Sequence, residues 1–470
     1  MVNRDTKTTH ILPENIEHIK NSKMKIPNLF FAALILGCGM VLIYLQFISV
    51  SPMDVVQIYY TIAIAGIIFF SVALRFKPAW KVNLMLLTIS FGLTVYLCEI
   101  LLFYLNQAGF IQQDKRAALA ARSGMEFDTR SRLEIVNELL AAGTEAYPSI
   151  YPMSFLDSNG LISSANQIYP LSGISDVYTV YCNESGAYSF YYSDEYGFNN
   201  PKNIINKSSI DILLVGDSFT NGACVEQGQD LGGQLRRQLK KDERTVFNAG
   251  FGANGPLLEL ATLTEYGYPL KPAIVLWVYY EENDLDGLVL EQKSSFLMNY
   301  LDPDFRQDLI NRQNEIDYQL RDYYDEASEA NLQTVPQQDW RRIIRLSNFR
   351  QLLGMDVVKS PTPPPSELFQ TILVEARDRV QSWGGTMYFV YLPAWQRYAE
   401  QLPSNEYNRE AVLSLVEQNT VPLIDLHPIF SEHQDPLSLF PFRYFGHYTP
   451  EGYELVAQEI EKQIAVKTKP

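Results

Sequence analysis

Four short runs carry residue types that could supply a hydroxyl nucleophile, a base and amide donors, and they occur in a fixed order. The first is Val215-Gly216-Asp217-Ser218-Phe219-Thr220. It follows an apolar stretch and precedes a helical one, so Ser218 falls at a strand C-terminus. There a serine oxygen is exposed and backbone N–H groups can face developing negative charge. The second run is the glycine-rich turn from Phe247-Asn248-Ala249-Gly250 through Phe251-Gly252-Ala253-Asn254-Gly255-Pro256. The third, Val278-Tyr279-Tyr280-Glu281-Glu282-Asn283-Asp284-Leu285, closes another apolar stretch. The fourth, Gly446-His447-Tyr448-Thr449-Pro450-Glu451-Gly452-Tyr453, opens the last helix, with Thr449 suited to the N-cap and Pro450 to the first helical position. Taken singly, each has a plainer meaning: a turn, a cap or a surface histidine. Together, in order and on one strand–helix alternation, they point to a site. His427 and His433 have no such context and read as loop or surface histidines.

The elements that must position these runs follow from periodicity. Beyond residue 205, short apolar strands alternate with helical stretches: Ile212–Val215, Thr245–Asn248, Ile274–Tyr279, Met387–Leu392 and Pro422–Asp425. Each is continuously apolar, as expected of parallel strands buried on both faces. Leu231, Leu235 and Leu239 give the first helix its apolar stripe. The alternation predicts a doubly wound α/β sheet of about five parallel strands with right-handed crossovers, which puts all four runs at one sheet edge. An insertion at about 286–365 interrupts it, with a helical stretch at Phe305–Tyr324 and a stiff Ser360-Pro361-Thr362-Pro363-Pro364-Pro365 segment. It reads equally as a lid or as surface decoration.

Upstream, residues 107–145 read as a polar helical linker, with a capping box at Ser131-Arg132-Leu133-Glu134. Residues 146–205 are rich in Tyr, Ser, Gly and Asn and contain strand-like runs at Val177–Tyr181 and Tyr188–Tyr192. Edge strands packing on the main domain are the expectation there, ahead of an aromatic carbohydrate-binding surface.

From about 208 to 464 the chain resembles the SGNH/GDSL hydrolase family, named for its Ser, Gly, Asn and His blocks. The resemblance implies a flavodoxin-like α/β/α fold and acyl-ester chemistry. Carried over position by position, Ser218 attacks a carbonyl carbon, and His447 takes its proton and returns it to the leaving alcohol. The Ser218 N–H and the Asn283 amide stabilise the oxyanion. The third donor falls on Ala253, where the family more often has glycine, or on Gly252 if the register slips by one. Alanine keeps the N–H, provided the turn does not require positive φ there. The family's acid usually sits three residues before the histidine, and here that position is Tyr444. A dyad, or an acid from elsewhere, is then expected, with Asp425 and Asp435 as the candidates.

The N-terminal part is of another kind. Three apolar runs, at about Leu29–Ile48, Val55–Leu74 and Val82–Leu105, are each long enough to span a bilayer, which takes about 20 residues. The first starts late, lacks a clear small-residue cleavage site and is followed at once by the second, so it reads as a span rather than a signal peptide. Lys20, Lys23 and Lys25 precede the first run, and Arg75, Lys77 and Lys81 lie between the second and third. Both basic flanks belong inside, which directs everything after the third run outside; Lys115, Arg116 and Arg122 weigh slightly against this. The expected organisation is a cytoplasmic tail (1–27), a three-span region (28–106), a linker with an aromatic-rich strand segment (107–205) and a hydrolase-like domain (206–470), in a bacterial inner membrane. Glu99, inside the third run, reads as a functional carboxylate, a snorkelling one or one paired between helices.

Composition excludes some partners. With 38 Lys and Arg against 54 Asp and Glu, the formal net charge is −16, so nucleic acid is not expected. No metal, nucleotide or organic cofactor is expected either, since Gly250–Gly255 lacks the P-loop lysine and the dinucleotide spacing. Cys182 and Cys224 lack metal spacing; two free thiols are expected, although an oxidising compartment would permit a disulfide. Besides the lipid bilayer, the implied partner is an acylated carbohydrate or lipid-linked glycan, deacylated by an esterase. An O-acyltransferase working through an acyl-serine is the second reading, and a catalytically silent glycan-binding or assembly subunit the third. The oligomeric state is not legible.

Overall fold

A computed structural model describes residues 14–47, 53–107, 114–162, 167–207, 209–333, 343–353, 362–399 and 406–467. The chain divides into two compact units: residues 1–112 with 337–361, and residues 113–336 with 362–470.

The first unit is helical: α1 (Glu14–Phe47), α2 (Met53–Ala73), α3 (Pro78–Gln107) and a short helix, Ser347–Leu352. Two helices are long and apolar enough to cross a membrane, over Lys25–Gln46 and Pro78–Tyr104. The apolar stretch Gln57–Ala73 of α2 is shorter, so the expected middle span is the least supported of the three. Large apolar side chains such as Leu36, Leu87 and Leu101 point outward rather than into a core. Glu99 is fully buried, and its carboxylate accepts the Asn348 N–H (3.1 Å), the Asn348 amide (2.8 Å) and the Phe349 N–H (2.7 Å). Glu99 therefore pairs with a segment of the insertion, a partner that sequence spacing did not suggest.

The second unit begins with α4 (Asp114–Arg122) and α5 (Arg132–Ala141). At the start of α5 the Ser131 hydroxyl accepts the Glu134 N–H while the Glu134 side chain accepts the Ser131 N–H, the capping box read from the sequence. The aromatic segment forms a small sheet of β1 (Ala146–Pro148), β2 (Tyr178–Val180) and β3 (Phe190–Tyr192), with β2 central, parallel to β1 and antiparallel to β3. Ile135 and Val136 of α5 pack with Ala146 and Val180 of this sheet.

The main sheet holds β4 (Ile212–Gly216), β5 (Val246–Asn248), β6 (Ile274–Tyr280), β7 (Thr386–Leu392) and β8 (Leu423–Asp425). All neighbours are parallel, in the order β8-β7-β6-β4-β5. This is a doubly wound order whose crossover direction reverses beside β4, where ligands of such sheets bind. The unbroken apolar runs follow from burial on both faces. Leu213, Val215, Val275, Trp277 and Tyr279 enter one core, while Ile212, Leu214, Ile274, Leu276 and Val278 enter the other.

One helix starts later than expected. The helical stretch read at Phe305–Tyr324 is a helix over Gln313–Gln333, preceded by turns. The buried Glu265 carboxylate accepts the N–H groups of Gln307 (2.6 Å) and Leu309 (2.8 Å), and Asp308 has a φ of 61°. The Leu309 N–H, which a helix from Phe305 would bond to the Phe305 carbonyl, is captured by Glu265 instead.

Candidate active site

Ser218 is the first residue of a one-turn helix, α6 (Ser218–Asn221), at the C-terminal end of β4. Asp217 caps that turn, its carboxylate accepting the Phe219 N–H at 2.9 Å. Gly216 is required by crowding: a Cβ there would collide with the Thr220 hydroxyl and lie 2.7 Å from the Val278 carbonyl oxygen. The glycine-rich turn is tied to α6 by two bonds and to the end of β4 by a third. Asn248 donates to the Thr220 carbonyl (2.7 Å), Asn221 to the Gly250 carbonyl (3.0 Å), and the Phe251 N–H to the Gly216 carbonyl (3.0 Å).

His447 precedes the C-terminal helix Pro450–Lys467, whose first turn is capped by Thr449 through the Gly452 N–H at 3.2 Å. Its Nε2 lies 2.9 Å from Ser218 Oγ. Its Nδ1 lies 3.1 Å from Glu184 Oε2, and the same oxygen accepts the His447 backbone N–H at 2.7 Å. Phe219 packs against the imidazole with ring centroids 4.6 Å apart, and is itself stacked on Tyr280 at 3.9 Å. The ring is therefore held by hydrogen bonds at its edges and by an aromatic face.

The acid position corrects the sequence-based expectation. Neither Asp425 nor Asp435 bonds to His447. Asp425 pairs with Arg409 and accepts the His427 N–H at 3.1 Å, and Asp435 pairs with Arg443. Tyr444, at the family's usual acid position, packs on Trp395 with ring centroids 5.6 Å apart. Glu184 comes instead from the loop between β2 and β3. Two things hold it there. Arg116 of α4 forms a 2.8 Å ion pair with its other oxygen and also donates to the Phe445 carbonyl. Cys182, two residues before Glu184, forms a disulfide with Cys224, just beyond α6, with Cα atoms 5.0 Å apart. Both cysteines were expected to be free thiols. Folding brings them together because the β2–β3 loop packs on the turn after α6, with Tyr181, Tyr191 and Ala223 in the same cluster.

Charge follows this geometry. Burial of the Glu184 carboxyl opposes its ionisation, but the charges of His447 and Arg116 and the His447 hydrogen bonds outweigh it and hold the group down at about 2. Burial likewise lowers the basicity of His447, yet the charge and hydrogen bond of Glu184, with Asp217 nearby, raise its pKa above the ordinary value. Glu184, Cys224 and His447 lie close enough to suggest a metal site, but the Cys224 sulfur is consumed by the disulfide.

The expected oxyanion donors sit at the ends of β4, β5 and β6. Among the described residues, the N–H groups of Ser218, Gly252 and Ala253 bond to no protein acceptor. The Asn283 amide donates one N–H to Asp217 at 3.1 Å, and an amide carries two. Ala253 has a φ of 63°, so the turn does require the left-handed conformation that costs alanine roughly 1–2 kcal/mol. Gly252 cannot carry a side chain: a Cβ there would run into the Tyr151 ring and lie 2.8 Å from the Tyr181 hydroxyl. The aromatic segment thus both roofs the glycine turn and contributes Glu184. A cavity of about 550 Å³ opens beside the acid, lined by Ser185, Cys224, Phe442 and Tyr448 but by neither Ser218 nor His447.

No family model matches the chain, and no curated protein matches it. Solved structures do match, across a little over half of its length. One is a two-domain esterase (CEX) active on acetylated mannans, at 12% identity and a TM-score of 0.33, covering 56% of this chain and only 50% of that one. A lipase/acylhydrolase from Enterococcus faecalis is 16% identical, with a TM-score of 0.31 and coverage of 56% and 98%. A family 3 carbohydrate esterase from Clostridium thermocellum is 14% identical, with a TM-score of 0.29 and coverage of 55% and 99%. Ser218, the glycine turn, Asn283 and His447 are gathered in chain order at one edge of a parallel α/β sheet, with an acid drawn from outside those four runs.

Proposed function

We propose that this chain is a membrane-anchored, extracytoplasmic serine esterase of SGNH/GDSL type that removes O-acyl groups from a carbohydrate or lipid-linked glycan. One observation carries the reading: the unbroken hydrogen-bonded chain from Ser218 Oγ to His447 Nε2 (2.9 Å) and from His447 Nδ1 to Glu184 (3.1 Å). In the acylation step His447 removes the hydroxyl proton as Ser218 Oγ bonds to the acyl carbon, and Glu184 stabilises the imidazolium that forms. The oxyanion accepts hydrogen bonds from the Ser218 N–H, the glycine-turn N–H groups and Asn283. Collapse of the tetrahedral species expels the alcohol with the proton from His447. Water, activated by the same histidine, then releases the acid.

The anchoring and orientation are supported by the apolar helices α1 and α3, by the basic residues flanking them and by the disulfide beside the site, since such bonds persist in oxidising compartments. The glycan substrate is supported by the family resemblance and the outward orientation.

The test uses the detergent-solubilised full chain with an activated acetyl ester and a fluorophosphonate probe. Wild type is expected to hydrolyse the ester and label stoichiometrically, and Ser218→Ala to do neither. Equal labelling of the two proteins would refute Ser218 as nucleophile. Adding a sugar acceptor separates hydrolysis from acyl transfer by whether an acylated sugar appears. An unlabelled wild type would favour the silent assembly subunit.

A further inference from the structure

Residues 343–353 belong to the insertion of the hydrolase domain by sequence, yet they pack on α3 within the helical unit. The Tyr96 hydroxyl donates to the Ile344 carbonyl at 3.3 Å, and Glu99 gathers the two N–H groups and the amide of Asn348 and Phe349. A carboxylate inside an apolar helix is costly in a bilayer unless its acceptor capacity is filled. Here it is filled by this one segment, so α3 is shaped to receive it.

Depth follows from helix geometry. Glu99 and Tyr96 precede Tyr104, where the apolar stretch of α3 ends, by five and eight residues. At 1.5 Å per residue they lie about 8 and 12 Å inside that end, close to the depth at which interfacial helices rest between headgroups and acyl chains. The segment has the composition for that position. Ile344, Leu352 and Leu353 expose 56%, 68% and 56% of their surfaces, and Arg345 is also exposed. In a chain of net charge −16, the stretch from Ile343 to Leu353 contains two arginines, Arg345 and Arg350, and no acid. Neighbouring side chains of α3, Leu97 and Leu101, are outward-facing as well. Basic residues interleaved with exposed apolar ones on a membrane helix fit a negatively charged lipid surface.

We propose that residues 343–353, clamped to α3 by Glu99, form an interfacial element that binds the headgroups of anionic phospholipids. The proposal rests on the membrane reading of α3 and is independent of the hydrolase chemistry, so loss of one leaves the other standing.

Hydrogen exchange of the full chain in lipid nanodiscs tests it. Discs of phosphatidylcholine alone are compared with discs containing phosphatidylglycerol. Amides of 343–353 in wild type are expected to exchange more slowly with the anionic lipid, by about fivefold for each arginine engaged. Arg345→Ala with Arg350→Ala should abolish that difference while retaining the exchange seen in phosphatidylcholine. Glu99→Gln, which offers one acceptor oxygen instead of two, should speed exchange of the segment in both lipids. Equal wild-type exchange in the two lipids overturns the anionic preference, and a double-alanine variant that keeps the difference overturns the role of the arginines. Unchanged exchange in Glu99→Gln overturns the clamp. The wild-type comparison needs no variant to fold.

Discussion

Glu184 grips His447 at two points with one oxygen: it accepts the backbone N–H at 2.7 Å and faces ring Nδ1 at 3.1 Å, leaving its other oxygen to Arg116. Backbone and side chain of the histidine are therefore positioned by the same group. Ring orientation and tautomer are fixed together, and Nε2 is left to accept from Ser218.

Glu184→Gln tests this grip while preserving volume. A neutral amide no longer stabilises the imidazolium and can stabilise the wrong tautomer. The expected outcome is a fall in kcat of about 10³–10⁴-fold with little change in KM, measured on an activated acetyl ester. Asp425→Asn should stay close to wild type, because Asp425 serves Arg409 and the His427 N–H. The reverse pattern would return the acid to the end of β8.

The pH profile reports the same contacts with opposite signs. His447 must be neutral to act as a base, so kcat/KM rises with pH through its pKa, which lies above the ordinary 6.5. Glu184 raises that pKa, so Glu184→Gln should move the acidic limb to lower pH, within whatever activity remains. Arg116 lowers it, so Arg116→Ala should move the limb to higher pH. Arg116→Lys, which keeps the charge, should leave the limb near wild type. A merely structural role for Arg116 would change amplitude without moving the limb.

What the sequence disclosed and withheld divides along physical lines. The main strands were legible because a parallel strand buried on both faces must be apolar throughout, and Ile274–Tyr280 is. Ser218 and His447 were legible because their backbone settings, a strand end and a helix start, have local signatures. Glu184 was not. Its role depends on a loop between two short strands packing against the turn after α6, and nothing local to Asn183-Glu184-Ser185 encodes that. Nor was the pairing of Glu99 with the insertion, which joins residues 249 and 250 positions apart. The left-handed Ala253 lay between these cases: the sequence posed the question, and only the backbone answered it.

Glu259 offers a test of the platform beneath the site. It is fully buried, and burial together with the charges of Asp284 and Asp217 outweighs a contact with the Trp277 indole and pushes its pKa well up. Such a group is protonated in the fold and ionised in the unfolded chain above its ordinary 4.5. The unfolded state then binds fewer protons, and stability falls as pH rises. Glu259→Gln keeps the shape and removes the titration. Its stability should decline less with pH than that of wild type, by up to about 1.4 kcal/mol per pH unit. Urea unfolding at pH 5 and pH 8, followed by tryptophan fluorescence, measures this; identical slopes in the two proteins would refute the assignment.

The Cys182–Cys224 disulfide joins the loop that carries Glu184 to the turn that follows Ser218. It closes a loop with a sequence separation of 42, for which the chain-entropy argument gives about 4 kcal/mol of stabilisation. Cys182→Ser with Cys224→Ser should therefore lower the unfolding free energy by that order. It should also lower kcat before the protein unfolds, because Glu184 then depends on Arg116 alone to stay on His447. The discriminating measurement is activity at a temperature where circular dichroism shows both proteins folded. Full activity there would mean that the disulfide serves stability only. A reduced kcat, with the acidic limb moved to lower pH as in Glu184→Gln, would mean that the bond keeps the acid in register with the nucleophile. Since the bond spans the acid and nucleophile loops directly, the second outcome is the one expected.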